Sequence, residues 1–301
     1  MPDITSAAVL GWRRQGELID HGGLGLFVLD RPAGGEERHE PLLVLHGFPS
    51  SSFDYRGVLD SLAEHRRVLL LDFLGFGLSA KPDVRYGIRM QADAVETAAR
   101  HWGLERVALL THDMGDSIGG EVLRRSLEGT LGFEVTRRVL SNGSIYIEMA
   151  QLTDGQKLLL ALPDEAVGDD GPITPEQAQE AFYRGLALTF SPAHQPDESE
   201  LEAQWQLMAL GDGHRLMART IRYIEDRRAE QERYTGAIEA HPSPLAIVWG
   251  ELDPVAVTPM AERLHAARPD STLAVLGGVG HYPMIEDPAR FAAETLKGLG
   301  G

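Results

Sequence analysis

Short, nearly continuous apolar runs stand on either side of a long interval that lacks them. They are Pro41–Leu45 (PLLVL), Arg67–Leu71 (RVLLL), Val107–Leu110 (VALL), Arg138–Leu140 (RVL), Leu245–Trp249 (LAIVW) and Thr272–Leu276 (TLAVL). Runs this short, with no polar side to show to water, predict the buried strands of a parallel sheet. Upstream, Gly16–Arg31 alternates polar and apolar residues around a glycine-containing centre, HGGLG, and predicts a strand pair along one sheet edge. Helical periodicity fills Met90–Trp102 and Pro259–Ala267, so strands and helices alternate. The fold class that follows is α/β, with a doubly wound, mostly parallel sheet.

The alternation stops between about Gly143 and Gly236, where helical patterns (Glu176–Thr189, Glu198–Leu210, Leu216–Arg233) are separated by polar, proline-containing loops. This interval predicts an inserted helical cap, residues 143–236, dividing a core made of residues 1–142 and 237–301. The acidic stretch Asp164–Asp170 within it is expected to be a solvated loop.

Composition narrows the classes. The chain has 301 residues, 43% of them hydrophobic and 24% charged, as in ordinary globular proteins. A net charge of −17 works against binding nucleic acid or an anionic membrane surface. The absence of cysteine rules out disulfides, thiolate nucleophiles and cysteine-ligated metals. Met1–Gly11 lacks the basic start and apolar stretch of a secretion signal, and no apolar run approaches the roughly 20 residues of a membrane span, so a cytoplasmic location is expected. No metal or organic cofactor is indicated, and either a monomer or a homodimer is compatible with the chain.

In such sheets ligands bind outside the carboxyl ends of the strands, so the loops directly after the runs are the places to look for chemistry. After VALL comes Thr111-His112-Asp113-Met114-Gly115, a strand-to-helix turn of the nucleophile-elbow kind, presenting a carboxylate. After LAIVW comes Gly250-Glu251-Leu252-Asp253-Pro254, and after TLAVL comes Gly280-His281-Tyr282-Pro283. Alone, Asp113 or Asp116 could cap a helix, Asp253 could be a turn residue and His281 an ordinary loop histidine. Together and in this order they predict nucleophile, orienting acid and base. His46-Gly47-Phe48-Pro49 follows PLLVL, where backbone N–H groups of Phe48 and Met114 would form an oxyanion hole. The glycine-rich Asp72–Ser79 runs into Lys81-Pro82 rather than a helix start and is assigned to structure, as is His112.

HGFP, GFGLS, THDMG, the aspartate of WGELDP and the histidine of GHYP resemble the α/β-hydrolases that include epoxide hydrolases and haloalkane dehalogenases, over about Pro41–Phe291. The resemblance implies the α/β-hydrolase fold with a helical cap. Aspartate suits attack on saturated carbon, because attack on an acyl carbon would leave an anhydride. An alkyl ester on Asp113 would then be hydrolysed by water activated by His281, held by Asp253. The substrate expected is small and apolar, with an electrophilic saturated carbon. Epoxide opening needs a proton donor, for which the family uses cap tyrosines: here Tyr223, with Tyr146 or Tyr183 as the second. Halide release needs strong donors, yet the family's halide positions are Met114 and Phe48, leaving Asn142 as partial compensation. His46, Asn142 and Trp205 are expected to contact substrate. Dehalogenation and a catalytically silent ligand-binding role stand as the alternatives.

Overall fold

A computed structural model describes residues 4–167 and 174–300, so residues 168–170 of the acidic stretch lie outside the described residues. One eight-stranded sheet organises the chain. Its strands are β1 (Gly16–His21), β2 (Leu24–Arg31), β3 (Leu42–Leu45), β4 (Val68–Leu71), β5 (Arg106–His112), β6 (Glu134–Ser141), β7 (Leu245–Gly250) and β8 (Thr272–Leu276). They lie in the order β1-β2-β4-β3-β5-β6-β7-β8. The β1–β2 and β2–β4 pairings are antiparallel and the others parallel.

The apolar runs behave as their composition requires. Every residue of β3, β4 and β7 is buried, and each such Val or Leu contributes roughly 1.5–3 kcal/mol by leaving water. The β1–β2 hairpin turns on Gly22 and Gly23, whose φ angles of 61° and 88° are the pair a tight two-residue hairpin demands and that side chains resist. Two strands depart from expectation. β8 closes the sheet with one side open, leaving Val275 42% exposed, and β6 starts four residues before its apolar run because parallel pairing with β5 continues through polar positions.

Helices flank this sheet. In the first half they are α1 (Ala7–Arg13), α2 (Leu59–Leu62), α3 (Ile88–His101) and α4 (Met114–Leu127). Between β6 and β7 the described residues form no strand, only α5 (Asp154–Ala161), α6 (Pro175–Ala187), α7 (Glu198–Ala209), α8 (Met217–Thr220), α9 (Tyr223–Ala229), α10 (Gln231–Ala240) and short 3-10 turns. The C-terminal part adds α11 (Thr258–Ala267), α12 (Pro283–Glu286) and α13 (Pro288–Gly298). The single helix expected over Leu216–Arg233 is instead three, interrupted at Ile221–Arg222 and again at Glu230, which leaves helical geometry at φ −131°. α10 crosses the 236/237 boundary and packs on α4, where Gly120 lets the Tyr234 backbone approach. No described helix is long and apolar enough to cross a membrane.

Candidate active site

Asp113 sits between β5 and α4 at φ 49° and ψ −112°. A non-glycine residue there stores about 1–3 kcal/mol of strain, and the reward is a side chain lifted clear of the strand end. That side chain, only 4% exposed, borders a cavity of about 90 Å³. Gly47 passes close beside it: a Cβ there would lie 2.9 Å from Asp113 Cβ and 3.2 Å from Oδ2. With only hydrogen at that position, the Phe48 N–H reaches Asp113 Oδ2 at 2.9 Å, and the Met114 N–H is on the side that favours the charged carboxylate.

His46 holds the same peptide from its other end. Its Nε2 accepts the Phe73 N–H at 3.0 Å, so Nδ1 carries the proton and donates to the Gly47 carbonyl at 2.8 Å. The carbonyl it grips and the N–H that meets Asp113 belong to one peptide unit. His46, fully buried, therefore orients the Phe48 donor; it does not line the cavity as a substrate contact.

His281 lies on the loop after β8, and its Nδ1 is 2.7 Å from Asp253 Oδ2. Asp253 Oδ1 accepts the Val255 and Ala256 N–H groups at 2.7 and 2.9 Å, so the carboxylate is fixed by the turn that carries it. Burial opposes a charge on His281, but the Asp253 and Asp113 carboxylates outweigh it and push its pKa up to about 9. For Asp113, burial raises the pKa, while His281, the Phe48 and Met114 N–H groups and Arg227 pull the other way.

Asn142 corrects an expectation. It follows β6 at φ 52°, donates Nδ2 to Asp253 Oδ2 at 2.7 Å and accepts the Gly250 N–H at 3.1 Å. Both ends of its amide are engaged with the loop that bears Asp253, so it orients that residue instead of contacting substrate. His112 has Nδ1 3.1 Å from the Ser141 carbonyl and its ring 5.0 Å from that of His281.

The aromatic residues of the segment between β6 and β7 divide sharply. Tyr223 lies 5.8 Å from the Phe48 ring, near enough to Asp113 for the carboxylate to add to burial in opposing its ionisation. Tyr146 faces elsewhere: its hydroxyl donates to Glu239 at 2.6 Å and its ring carries the Arg263 guanidinium at 3.8 Å. Tyr183 bonds Glu202 of α7 and Gln179 of its own helix, in the seam between α6 and α7. Trp205 packs behind Phe182 at 5.7 Å and does not reach the cavity. Among the described residues, Phe182, Leu186, Leu159 and Thr189 supply that side of the cavity, with Phe48 and Val255 opposite.

Tyr282 was not anticipated. It lines the cavity beside Asp113 and His281, its ring stacks on Phe190 at 5.1 Å, and its hydroxyl lies 3.4 Å from the Phe48 carbonyl. The signal was in plain view in GHYP, because a residue adjacent to His281 on a strand-end loop cannot be far from the site.

The chain is similar to known proteins over nearly its whole length. Residues 42–294 match the alpha/beta hydrolase family. The chain is 39% identical to LipZ of Mycobacterium tuberculosis, named as a hydrolase, over 97% of this chain and 98% of that protein. It is 35% identical to the mesoderm-specific transcript protein of Mus musculus, over 96% and 87% of the two chains. Among solved structures, Cfl2 from Burkholderia cenocepacia superposes with a TM-score of 0.75 at 20% identity, covering 94% of each chain, which is a likeness of fold.

Proposed function

Because the chain belongs to the alpha/beta hydrolase family, we propose that it is a hydrolase whose nucleophile is the Asp113 carboxylate and whose substrate is a small epoxide, opened to a diol. The observation that carries this reading is the Phe48 N–H on Asp113 Oδ2 at 2.9 Å. In a serine hydrolase the oxyanion donors await the substrate's carbonyl oxygen. When the nucleophile is an aspartate that forms an alkyl ester, the carbon later attacked by water is its own Cγ. The oxyanion is then one of its own oxygens, and the donors belong where Phe48 and Met114 put them.

The steps follow from the geometry. The Asp113 oxygen not held by Phe48 attacks an epoxide carbon, and the C–O bond opposite breaks. Ester formation removes the Asp113 charge, one of the forces holding the proton on His281. The imidazole can then lose that proton and act as base. Oriented by Asp253 through the 2.7 Å bond, it deprotonates a water that attacks Cγ. Oδ2 takes the developing charge without leaving its donors, and collapse of the tetrahedral intermediate frees the diol.

The helices between β6 and β7 act as a cap over the strand ends, and the apolar side chains they contribute keep the cavity dry. Dehalogenation has less support, because no indole borders the cavity among the described residues. His281→Gln tests the reading. With mixed epoxides and haloalkanes, intact-mass measurement is expected to show an adduct on Asp113 from an epoxide; adducts from haloalkanes alone would transfer the assignment to dehalogenation, and no adduct from any electrophile would end it.

A further inference from the structure

A buried carboxylate outside the reacting set brackets the base. Glu286, 7% exposed, ends α12, the short helix that begins just after the His281 loop. Pro283 starts that helix, and the Glu286 N–H closes its single turn on the Tyr282 carbonyl at 2.9 Å, which folds the carboxylate back over the loop before it. Its Oε2 accepts the N–H groups of Gly280 at 2.8 Å and Ser191 at 3.0 Å, and its Oε1 accepts that of Tyr282 at 3.1 Å. Gly280 and Tyr282 are the neighbours of His281 on either side, whereas Ser191 belongs to the segment that follows α6.

The N–H of His281 itself goes to the Thr189 carbonyl at 3.0 Å, and Thr189 borders the cavity. Successive N–H groups of the base's loop are thus all fixed, the outer two by Glu286 and the middle one by the segment that Glu286 also holds. Gly280 makes this junction possible. A Cβ there would lie 2.6 Å from Ser191 N and 2.8 Å from both the Thr189 carbonyl oxygen and Glu286 Oε1. The side chain must also be a carboxylate: every partner is a donor, and a glutamine amide would turn its own N–H groups towards at least one of them. Hydrogen bonds to a charged acceptor are the stronger kind.

We propose that Glu286 is a positioning residue for the base, its carboxylate joining the His281 loop to the segment after α6 so that the imidazole and the cavity wall at Thr189 are held as one unit. This rests on the carboxylate-nucleophile reading above, in which His281 serves hydrolysis of the ester and not its formation. Asp253 grips the ring at Nδ1 and sets its tautomer. Glu286 sets the backbone from which the ring hangs, so its loss lets the ring drift from Asp113 Cγ while the tautomer is kept.

The test follows one turnover of a terminal epoxide by rapid quench with protein in excess. Loss of epoxide reads alkylation, appearance of diol reads hydrolysis, and intact mass reads the ester between them. Glu286→Gln is expected to slow hydrolysis about tenfold or more while alkylation stays within about threefold, so that ester accumulates. Gly280→Ala keeps the carboxylate but pushes the Thr189–Ser191 segment away; it is expected to shift the balance the same way, and it decides alone if Glu286→Gln does not fold. In the His281→Gln protein, adding Glu286→Gln is expected to change the residual hydrolysis by less than about twofold, because a residue that acts through the base then has nothing to act on. The Glu286 charge also helps to hold the proton on His281, so the hydrolysis midpoint is expected at lower pH in Glu286→Gln and unmoved in Gly280→Ala. The other groups facing that ring, Asp253, Asp113, Asp116, His112 and Tyr282, are the same in both variants. Equal slowing of both half-reactions, undiminished hydrolysis, a midpoint moved upward in Glu286→Gln, or a further tenfold loss in the His281→Gln background would overturn the positioning role while leaving the nucleophile in place. Absence of any ester on Asp113 in the His281→Gln protein would instead remove the reading on which it rests.

Discussion

The loops at the strand ends and the helices between β6 and β7 face each other across one cavity, yet they yield to sequence reasoning very differently. Asp113, Asp253, His281 and Phe48 all stand within a few residues of an apolar run, and the strand that precedes each one fixes where it goes. Their side chains converge because parallel strands end on the same sheet edge. In the helical segment no such frame exists. Phe182 borders the cavity whereas its neighbour Tyr183 turns to Glu202 and Gln179, since adjacent helical positions point about 100° apart. A helix rotated by one residue would have exchanged them, and sequence alone does not fix that rotation.

The comparison predicts that strand-end substitutions abolish chemistry while substitutions among the helices retune it. The largest effect is expected from Asp113→Asn, a loss of about 10⁴-fold or more in turnover with no adduct in mass measurements and an unchanged circular dichroism spectrum. Activity surviving within tenfold would remove Asp113 from the chemistry. Next comes Asp253→Asn, expected to cost about 10³-fold or more through the wrong His281 tautomer, with ester accumulating in rapid-quench experiments because the hydrolytic half suffers.

The same regional division explains what could and could not be read in advance. Gly143–Gly236 is recognisable as helical from its loss of strand signals, but no glycine or proline marks the break at Glu230, after which α10 packs on α4. In the sequence Asn142 reads as a strand-end amide; its bond to Asp253 depends on β6 and β7 lying side by side, a tertiary fact. His46 likewise could be placed on the correct loop, while its grip on the Gly47 carbonyl needs Phe73 from the loop after β4.

A pH series sharpens the strand-end side. With both carboxylates charged, His281 holds its proton up to about 9, and loss of the Asp113 charge on alkylation lowers that midpoint. Hydrolysis of the ester needs the neutral ring, so its single-turnover rate is expected to rise with pH about tenfold per unit and to level off below about 9. A rate falling over that range would contradict a histidine base. Removing the Asp253 anchor should be milder: Asn142→Ala leaves a charge-assisted bond unmade, for an expected loss of about tenfold.

On the helical side, Phe182→Ala should raise KM about tenfold for small epoxides and admit bulkier ones, with kcat within about threefold in steady-state assays. The smallest effects belong to Tyr146→Phe, Tyr183→Phe and Trp205→Phe, each expected within about twofold of the parent kcat, because the first two hydroxyls bond Glu239 and Glu202 and the indole packs behind Phe182. A loss of about 100-fold in kcat for Tyr146→Phe or Tyr183→Phe would erase the distinction between the two regions.

The central claim is that water attacks Asp113 Cγ and not the substrate carbon. Single-turnover reaction of the unmodified protein in heavy-oxygen water, followed by mass measurement of product and of the peptide containing Asp113, tests it directly. The account predicts an unlabelled diol and one heavy oxygen in the Asp113 carboxylate. A labelled diol with unlabelled Asp113 would contradict it.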